Sequence, residues 1–360
     1  MKNKKKRSSN AITVAAIIIG IVVFSAAIVV IAAACDRDTF TYGVLTTGLT
    51  AILVPIITSL INNRKNKKAA IEKQKQREEE RRNLDTEKLD ALISEIKDRT
   101  AQPAYRIKMS KSEGADIFDS KFGGLPYWPN NMDYPLSKNG EKLILLAQIN
   151  FDKAKLHDYR LPKHGMLQFF VLSDDLSGAD FEDPFSQENF RVVYHREIDK
   201  SVTAESVRAL GVKANTDFDG TDDYLPSYDE MLMSFEEMTD YMSDSVDDFD
   251  ALAGHIYKEL FDEELLQGSL WRTLNSTEYD YFYDGFSDYT FGHKMLGYPS
   301  FTQCDPRCGE YQGEYETLLL QIDSQDGIMW GDSGIANFFI NEKDLRKLDF
   351  SNVMYTWDCY

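Results

Sequence analysis

The longest apolar stretch of the chain lies near its N-terminus. Residues 11–34 contain no charged side chain and exceed the roughly 20 residues that a helix needs to cross a bilayer. A second uncharged stretch, residues 43–61, is just long enough for the same role, and transmembrane helices tolerate a proline such as Pro55. Residues 1–61 are therefore predicted to form a transmembrane helical hairpin joined by a short loop.

Basic residues flank both predicted spans on the same side. They cluster at residues 2–7 and 64–68, and positive charge in short flanks is retained in the cytoplasm. We therefore predict a multi-pass protein of the plasma membrane, embedded in the lipid bilayer, with its N-terminus and its soluble domain in the cytoplasm. The first span is too long for a typical cleaved signal peptide. The string ending at Cys35 resembles a bacterial lipobox, so lipidation of Cys35 stays open.

Charge becomes dense directly after the second span. Residues 62–100 contain no Gly or Pro and are rich in strong helix formers, which predicts a charged juxtamembrane helix. Basic residues within 64–82 are expected to attract anionic lipid head groups at about 1 kcal/mol each. The apolar stripe is too short for a long coiled coil, so we expect a spacer, with a dimer seam as the alternative. The stripe consists of Leu89, Leu92, Ile93 and Ile96.

Short apolar blocks recur in the remaining chain, with the same order in two places. The first two pairs share an offset of 173 residues, and the third follows after a four-residue shortening. Matched blocks in register predict an internal duplication. The pairs are KFGGLPY (121–127) with KMLGYPS (294–300), LLAQIN (145–150) with LLLQID (318–323), and GMLQFFV (165–171) with GIANFFI (334–340).

Each repeated unit has the pattern of a Gly-x-Pro turn followed by two strands. Short apolar and aromatic runs bounded by Gly, Pro and Asp are typical of strands buried on at least one face. The predicted fold class is α+β: an internally duplicated, mainly antiparallel β-sheet domain at residues 101–360. We expect repeat halves at about 115–176 and 288–345, separated by a helical acidic insertion at about 177–287. Apolar residues spaced by three and four at 231–242 favour a helix there.

Net charge divides the chain into a basic front and an acidic back. Residues 1–99 hold 18 of the 40 Lys and Arg and 11 of the 59 Asp and Glu, which leaves 22 against 48 for residues 100–360. A field of this sign repels nucleic acid and favours basic protein partners, and it also keeps a domain soluble. The four cysteines are too few and too scattered for a disulfide framework, which indicates a reduced setting.

Residues 111–360 also carry an ordered set of longer motifs. They are FGGLPYWP, LAQINF, HGMLQFF, HKMLGYPSFTQCDPR, LLLQID, WGDSGIANFFI and the closing CY. In this order the segment resembles the YwqG-like bacterial family, a domain of unknown function. The resemblance implies a fold and a bacterial origin, and it brings no established reaction or catalytic residue. The predicted membrane anchor and the acidic middle lie outside the family pattern.

Three short strings suggest chemistry that their surroundings do not support. Residues 331–334 spell GDSG, as around a serine-protease nucleophile, but the histidine context is missing, and a turn into the next strand is favoured. Residues 215–220 begin like a calcium loop, but Pro226 stands where a glutamate is needed. Four thiol and imidazole groups are potential zinc ligands without a second close pair, so neither metal nor cofactor is expected. They are His293, Cys304, Cys308 and Cys359.

One segment concentrates polar groups that are suited to binding. Within HKMLGYPSFTQCDPR a base, a carboxylate and a guanidinium are close in sequence, and polar groups against aromatic walls favour a binding site when no nucleophile is evident. A structural ion pair between Asp305 and Arg307 is the alternative. The Gly-x-Pro turns of both halves are expected to frame a groove near a pseudo-twofold axis. The candidate residues are His293, Tyr298, Gln303, Asp305, Arg307, Gln148, Gln321, Trp128 and Trp330.

Taken together, these patterns favour a membrane-tethered cytosolic binding module of unknown ligand. Its acidic face suggests that it neutralises or senses a basic protein partner, and an immunity protein directed against a toxin is one such role. The alternative is a hydrolytic or metal-dependent enzyme that uses the region of His293, Asp305 and Arg307. Enzymatic activity is thus the less favoured hypothesis.

Overall fold

The structure, a computed structural model, describes residues 86–360 apart from 113, 222–223 and 312, together with scattered positions between 59 and 84. Both predicted spans lie outside the described residues, Ser59 excepted. Across the part of the chain that is described, no helix is both long and apolar enough to span a bilayer. Residues 85–360 form one compact unit.

A single antiparallel sheet of ten strands forms the centre of this unit. The order across the sheet is β10-β9-β8-β7-β1-β6-β2-β3-β4-β5 once the strands are numbered along the chain. The fold is therefore a mixed α/β domain with an antiparallel sheet. The strands are β1 (Gln102–Lys111), β2 (Lys121–Phe122), β3 (Ile144–Asn150), β4 (Met166–Val171), β5 (Phe190–His195), β6 (Met231–Asp240), β7 (Lys294–Leu296), β8 (Thr317–Asp323), β9 (Ile335–Ile340) and β10 (Val353–Asp358).

Within residues 86–360 the helices are mostly short, and four of them lie between β6 and β7 in the chain. In chain order they are α1 (Thr86–Thr100), α2 (Phe151–Ala154), α3 (Ala204–Ala209), α4 (Phe249–Phe261), α5 (Leu270–Thr273), α6 (Ser276–Asp284), α7 (Ser287–Thr290) and α8 (Glu342–Leu345). Single 3₁₀ turns occur at Asn215–Asp217, Leu266–Gly268 and Gly309–Tyr311.

The two halves of the sheet share one strand order, with their first strands exchanged. β6 pairs with β2 and then β3, β4 and β5 follow, whereas β1 pairs with β7 and then β8, β9 and β10 follow. Lys121 lies opposite Gln148, and Lys294 lies opposite Gln321. β3 and β8 also carry a register shift at the same point. The blocks matched in sequence thus occupy equivalent positions in the sheet.

Strong curvature brings the two ends of the sheet against each other. The rings of Phe169 on β4 and Phe338 on β9 lie 4.8 Å apart, and those of Phe190 and Tyr355 lie 5.1 Å apart. The backbone of the terminal strand β10 is also covered, because Tyr355 N donates to Pro184 O at 2.9 Å. The main core fills the space that the curved sheet encloses.

Each half buries one lysine beside its Gly-x-Pro turn. Lys121 Nζ lies 2.9 Å from Glu230, and Lys294 Nζ lies 3.0 Å from Asp240. Burial lowers the pKa of both lysines, and the paired carboxylates oppose this effect. Gly297 has φ +73° and packs directly on Asp240, because a Cβ there would lie 2.2 Å from its Oδ2. The turn, the lysine and the carboxylate therefore form one unit.

The helix predicted at residues 231–242 is wrong over most of its length. Met231–Asp240 is strand β6 and pairs with β1 along all ten residues, at the centre of the sheet. The apolar spacing misled because a strand with polar residues on both faces need not alternate strictly. Strand β5 also lies inside the predicted insertion. The helical segment between β6 and β7 covers only residues 241–293.

The spacer and dimer-seam interpretations are wrong for residues 86–100. Helix α1 buries Leu89, Leu92 and Ile96. The last two pack with Phe249 of α4 and Phe282 of α6 in a separate core cluster. The short apolar stripe therefore attaches α1 to the helical segment, because these neighbours remove it from water. The described residues 62–68 are helical.

Candidate functional site

Three of the predicted site residues meet at one cavity. Tyr298, Asp305 and Arg307 line a cavity of about 280 Å³ beside the second Gly-x-Pro turn. We call it the acidic pocket, because five carboxylates and one guanidinium line it. The charged lining residues are Asp247, Asp248, Asp305, Glu314, Glu316 and Arg307.

The positive charge of Arg307 is taken up within the pocket wall. Its Nε and Nη2 donate to the two carboxylate oxygens of Asp305 at 2.9 and 2.7 Å, and its backbone N donates to the same carboxylate. The guanidinium also lies 4.6 Å from the ring centroid of Phe339. Bidentate pairing and stacking fix both side chains. Asp305 and Arg307 thus form the structural ion pair that was the alternative to a binding role, and the other carboxylates lie outside this pair.

Those carboxylates come from two segments far apart in sequence. Asp247 and Asp248 precede helix α4, whereas Glu314 and Glu316 precede strand β8. All four residues are exposed. Within the described part of the chain, the side chains of Asp247, Glu314 and Glu316 make no hydrogen bond or ion pair. The pocket thus presents several like charges to solvent, which favours a cation there.

Apolar side chains supply the rest of the pocket wall. Met242, Val246 and Pro299 line it together with Tyr298. The backbone N of Tyr298 donates to Asp240 at 2.8 Å, so the buried ion pair holds this turn in place. Burial raises the pKa of Tyr298, and its phenol stays neutral at ordinary pH.

His293 lies apart from the acidic pocket. It is 1% exposed, its Nδ1 accepts from Asp323 N at 3.0 Å, and its Nε2 is 3.6 Å from Asp326. Burial lowers the pKa of His293 to about 4, so the ring is neutral at pH 7 and this contact is no ion pair. Among the described contacts His293 and Asp305 share no hydrogen bond. The structure does not bring together the pair that the enzyme hypothesis requires.

The two glutamines that occupy equivalent positions in the matched sequence blocks form hydrogen bonds with backbone groups. Gln148 Oε1 accepts from Tyr127 N, and Gln321 Oε1 accepts from Ser300 N, which is the equivalent position. Both glutamines are fully buried and also donate to carbonyls of the preceding loop. Gln303 is exposed and donates to a carbonyl near the C-terminus. All three side chains therefore serve to fix loops.

Trp128 and Trp330 do not frame a common groove. Both are 1% exposed, and they belong to different core clusters. The ring of Trp128 lies 5.1 Å from that of His195, whereas Trp330 lies 6.0 Å from Trp357. The groove expected near a pseudo-axis is therefore wrong, because hydrophobic burial takes both rings inside.

The GDSG string forms a turn into β9. Gly334 N donates to Trp330 O at 2.7 Å, and Ser333 is exposed with φ +58°. Among the described residues, the Ser333 side chain makes no hydrogen bond with a histidine. This arrangement lacks the base that a serine nucleophile requires.

The calcium-loop and zinc strings do not assemble either. Asn215 Oδ1 accepts from Gly124 N, and the Asp217 carboxylate accepts from Arg208 and Ala214 N, so these oxygens do not converge. Cys304, Cys308 and Cys359 are free. Over the residues that the structure describes, no group of three or more potential ligands forms.

Sequence reasoning missed four of the five pocket carboxylates. Glu314 and Glu316 lie shortly after the CDPRC string, so their proximity in sequence was a usable signal. The sequence carries no signal that Asp247 and Asp248 belong to the pocket. Asp248 lies 66 residues before Glu314, and only the fold brings the two together.

The fold and the pocket define a mixed α/β domain with an antiparallel sheet and an acidic cavity beside its second Gly-x-Pro turn. The family described as Domain of unknown function (DUF1963) matches residues 120–359, and the chain belongs to this family. No curated protein matches the chain. The family description names no ligand or reaction.

Proposed function

We propose that the chain is a membrane-tethered binding module that takes a basic segment of a protein partner into its acidic pocket. The observation that carries this proposal is three exposed carboxylates, Asp247, Glu314 and Glu316, which have no ion-pair partner among the described residues and line a cavity in which Arg307 is already paired with Asp305. Neutralising or sensing a basic toxin, as an immunity protein does, is one form of this role.

The size and walls of the pocket suit a single cationic side chain. At about 280 Å³ it lies below the roughly 300–1,000 Å³ typical of small-molecule sites. Met242, Val246 and Pro299 offer apolar surface for the stem of a lysine or arginine, while the carboxylates face its charged end. The excess of acidic residues in residues 100–360 would also steer a basic partner toward this face.

The membrane tether rests on the two uncharged stretches at residues 11–34 and 43–61. Basic flanks on one side support a cytoplasmic domain, and residues 64–82 would contact anionic head groups. A reporter fused after Tyr360 is expected to be active only in the cytoplasm. Reporter activity on the extracellular side of the membrane would contradict this topology.

We further infer that the two sheet halves arose from one duplicated unit, which their equivalent pairings support.

Calorimetric titration of the full chain, purified in a nonionic detergent, with an octa-arginine peptide tests the binding proposal. We expect Glu314→Gln/Glu316→Gln to weaken binding by about tenfold, because two pocket charges are lost. The control Glu197→Gln/Glu205→Gln removes the same charge from exposed positions outside the pocket. An equal loss in both variants, or no loss in the pocket variant, would contradict a specific pocket.

A further inference from the structure

A second cavity lies beside the last strand, and it shares no lining residue with the acidic pocket. Its volume is about 360 Å³, and rings form much of its wall. We call it the aromatic pocket. The residues that matter for its chemistry are Phe181, Phe301, Trp357 and Asp358, with the Cys304 and Cys359 thiols nearby. The rings of Phe181 and Trp357 lie 6.0 Å apart.

Asp358 leaves one carboxylate oxygen without a donor. Its Oδ2 accepts from Thr302 N at 3.0 Å and from Gln303 N at 2.8 Å. Its Oδ1 is buried and unpartnered. Two backbone donors therefore fix one carboxylate oxygen of Asp358, while the other oxygen is buried without a donor.

A second hydrogen-bond acceptor without a donor lies on the same face of the sheet as Asp358. Asn337 is 0% exposed, and its Nδ2 donates to Ser300 O while its Oδ1 has no partner. Asn337 pairs directly with Thr356, so the two side chains share a face. Asp358 follows Thr356 by two residues on that face, and both line the aromatic pocket. The pocket is thus next to two acceptors that lack a donor.

In the first half of the sheet, the acceptor at the position equivalent to Asn337 has a hydrogen-bond donor. Gln168 pairs with Val193 as Asn337 pairs with Thr356, which makes His195 the counterpart of Asp358. There the His195 Nε2 lies 2.8 Å from Gln168 Oε1 in a buried hydrogen bond. The first half therefore holds a donor and an acceptor where the second half holds two acceptors.

The same comparison accounts for the space in the aromatic pocket. Trp128 is the counterpart of Phe301 at the repeat offset, and its ring packs 5.1 Å from that of His195. In the second half a phenylalanine and an aspartate replace these two larger rings. The smaller side chains leave space as well as an unmet need for a nitrogen donor.

We propose that the aromatic pocket binds a cationic nitrogen group, a guanidinium, ammonium or imidazolium, which supplies the N–H donor that His195 supplies in the first half. The charge of the group matches the Asp358 carboxylate, and the faces of Trp357 and Phe181 attract a cation. Because the Asp358 Oδ1 is buried, the group reaches it by displacing a side chain of the pocket wall. This site does not depend on the acidic pocket.

Titration of the full chain in detergent with methylguanidinium, methylammonium and imidazole, followed by calorimetry, tests this proposal. The titrations start from Glu314→Gln/Glu316→Gln, because the acidic pocket would also attract these cations, and at least one probe is expected to bind this chain saturably. Neutral methylurea, which keeps the N–H groups of methylguanidinium, is expected to bind at least about tenfold more weakly. Equal binding of methylurea would overturn the cationic character of the site, and no saturable binding by any probe would overturn the site itself.

Two variants test whether the probes bind in the aromatic pocket. Phe301→Trp/Asp358→His rebuilds the arrangement of the first half and is expected to fill the cavity and abolish binding. Should this variant not fold, Asp358→Asn removes the charge with little change in size and is expected to weaken binding by about tenfold. Glu197→Gln/Glu205→Gln, at exposed positions outside both pockets, is expected to bind the probes like the starting chain. Unchanged binding in the Asp358 variants would contradict the proposal.

Discussion

Single buried amides hold the loops of this domain to its sheet. Gln148 makes hydrogen bonds with Tyr127 N, Ile117 O, Asp119 O and the Gln168 amide, whereas Gln321 bonds to Ser300 N and Gly292 O. Replacing either glutamine by leucine is expected to cost about 1–3 kcal/mol of unfolding free energy, and more at Gln148, since more partners stay unpaired.

Denaturant unfolding of the two variants measures this cost. Gln303→Leu is the matched control, because that side chain is exposed and its removal leaves no buried group unpaired. Near-neutral effects at Gln148 and Gln321 would show that water replaces these bonds in the folded chain.

Two buried histidines give the domain a defined sensitivity to acid. Burial lowers the pKa of His195 and of His293 from 6.5 to about 4. Between these values the unfolded chain binds protons that the folded chain does not, so stability falls as the pH drops from about 6.5 to about 4. Each histidine contributes at most about 3 kcal/mol to this loss.

Thermal unfolding between pH 7 and pH 4.5 checks the histidine contribution. His195→Gln/His293→Asn keeps a nitrogen donor at position 195 and an oxygen acceptor at position 293. We expect this variant to lose less stability over the range than the unchanged chain. An identical pH slope would assign the acid sensitivity to carboxylates instead.

The sequence alone indicates only those contacts of the candidate site that join residues close together along the chain. Asp305 and Arg307 are two residues apart, so their ion pair was an explicit alternative in the sequence. The neutral state of His293 depends on burial, which no local pattern contains. The carboxylates at 247–248 reach the acidic pocket only through the fold.

Equivalent strands in the two halves should respond equally to the same change. Leu146 on β3 is 2% exposed and Leu319 on β8 is 0% exposed, and both belong to the main core. Leu146→Ala and Leu319→Ala are each expected to cost about 2–5 kcal/mol in denaturant unfolding. Leu136→Ala, at a position 44% exposed, is the control and should cost little. Clearly unequal costs would show that the halves pack differently.

The sequence pattern predicts correctly those strands that are buried on both faces of the sheet. β3, β4, β8 and β9 are short apolar runs between turn residues, and their burial on both faces matches that pattern. β6 has polar residues on both faces near the centre of the sheet, so its apolar positions resembled a helical stripe. The sequence pattern of helix α1 resembles that of a spacer, because its packing partners lie more than 140 residues further along the chain.

For the whole molecule, the charge division predicts where membrane affinity resides. A piece that spans residues 85–360 is strongly acidic and is expected to stay in solution with anionic vesicles in a sedimentation assay. A piece that begins at Asn62 adds the basic residues of 64–82 and should bind the vesicles in low salt and dissociate in high salt. Vesicle binding by the shorter piece would show that the folded domain has a membrane surface of its own.

Hydrogen–deuterium exchange of the full chain with octa-arginine tests whether a basic segment enters the acidic pocket. Apart from Gln102, the pocket wall comes from residues 242–248 and 297–316. We expect bound peptide to slow exchange in both segments together, and Glu314→Gln/Glu316→Gln to remove this protection. Protection confined to other acidic surfaces, such as residues 258–264, or spread weakly over the whole domain, would contradict binding in the pocket.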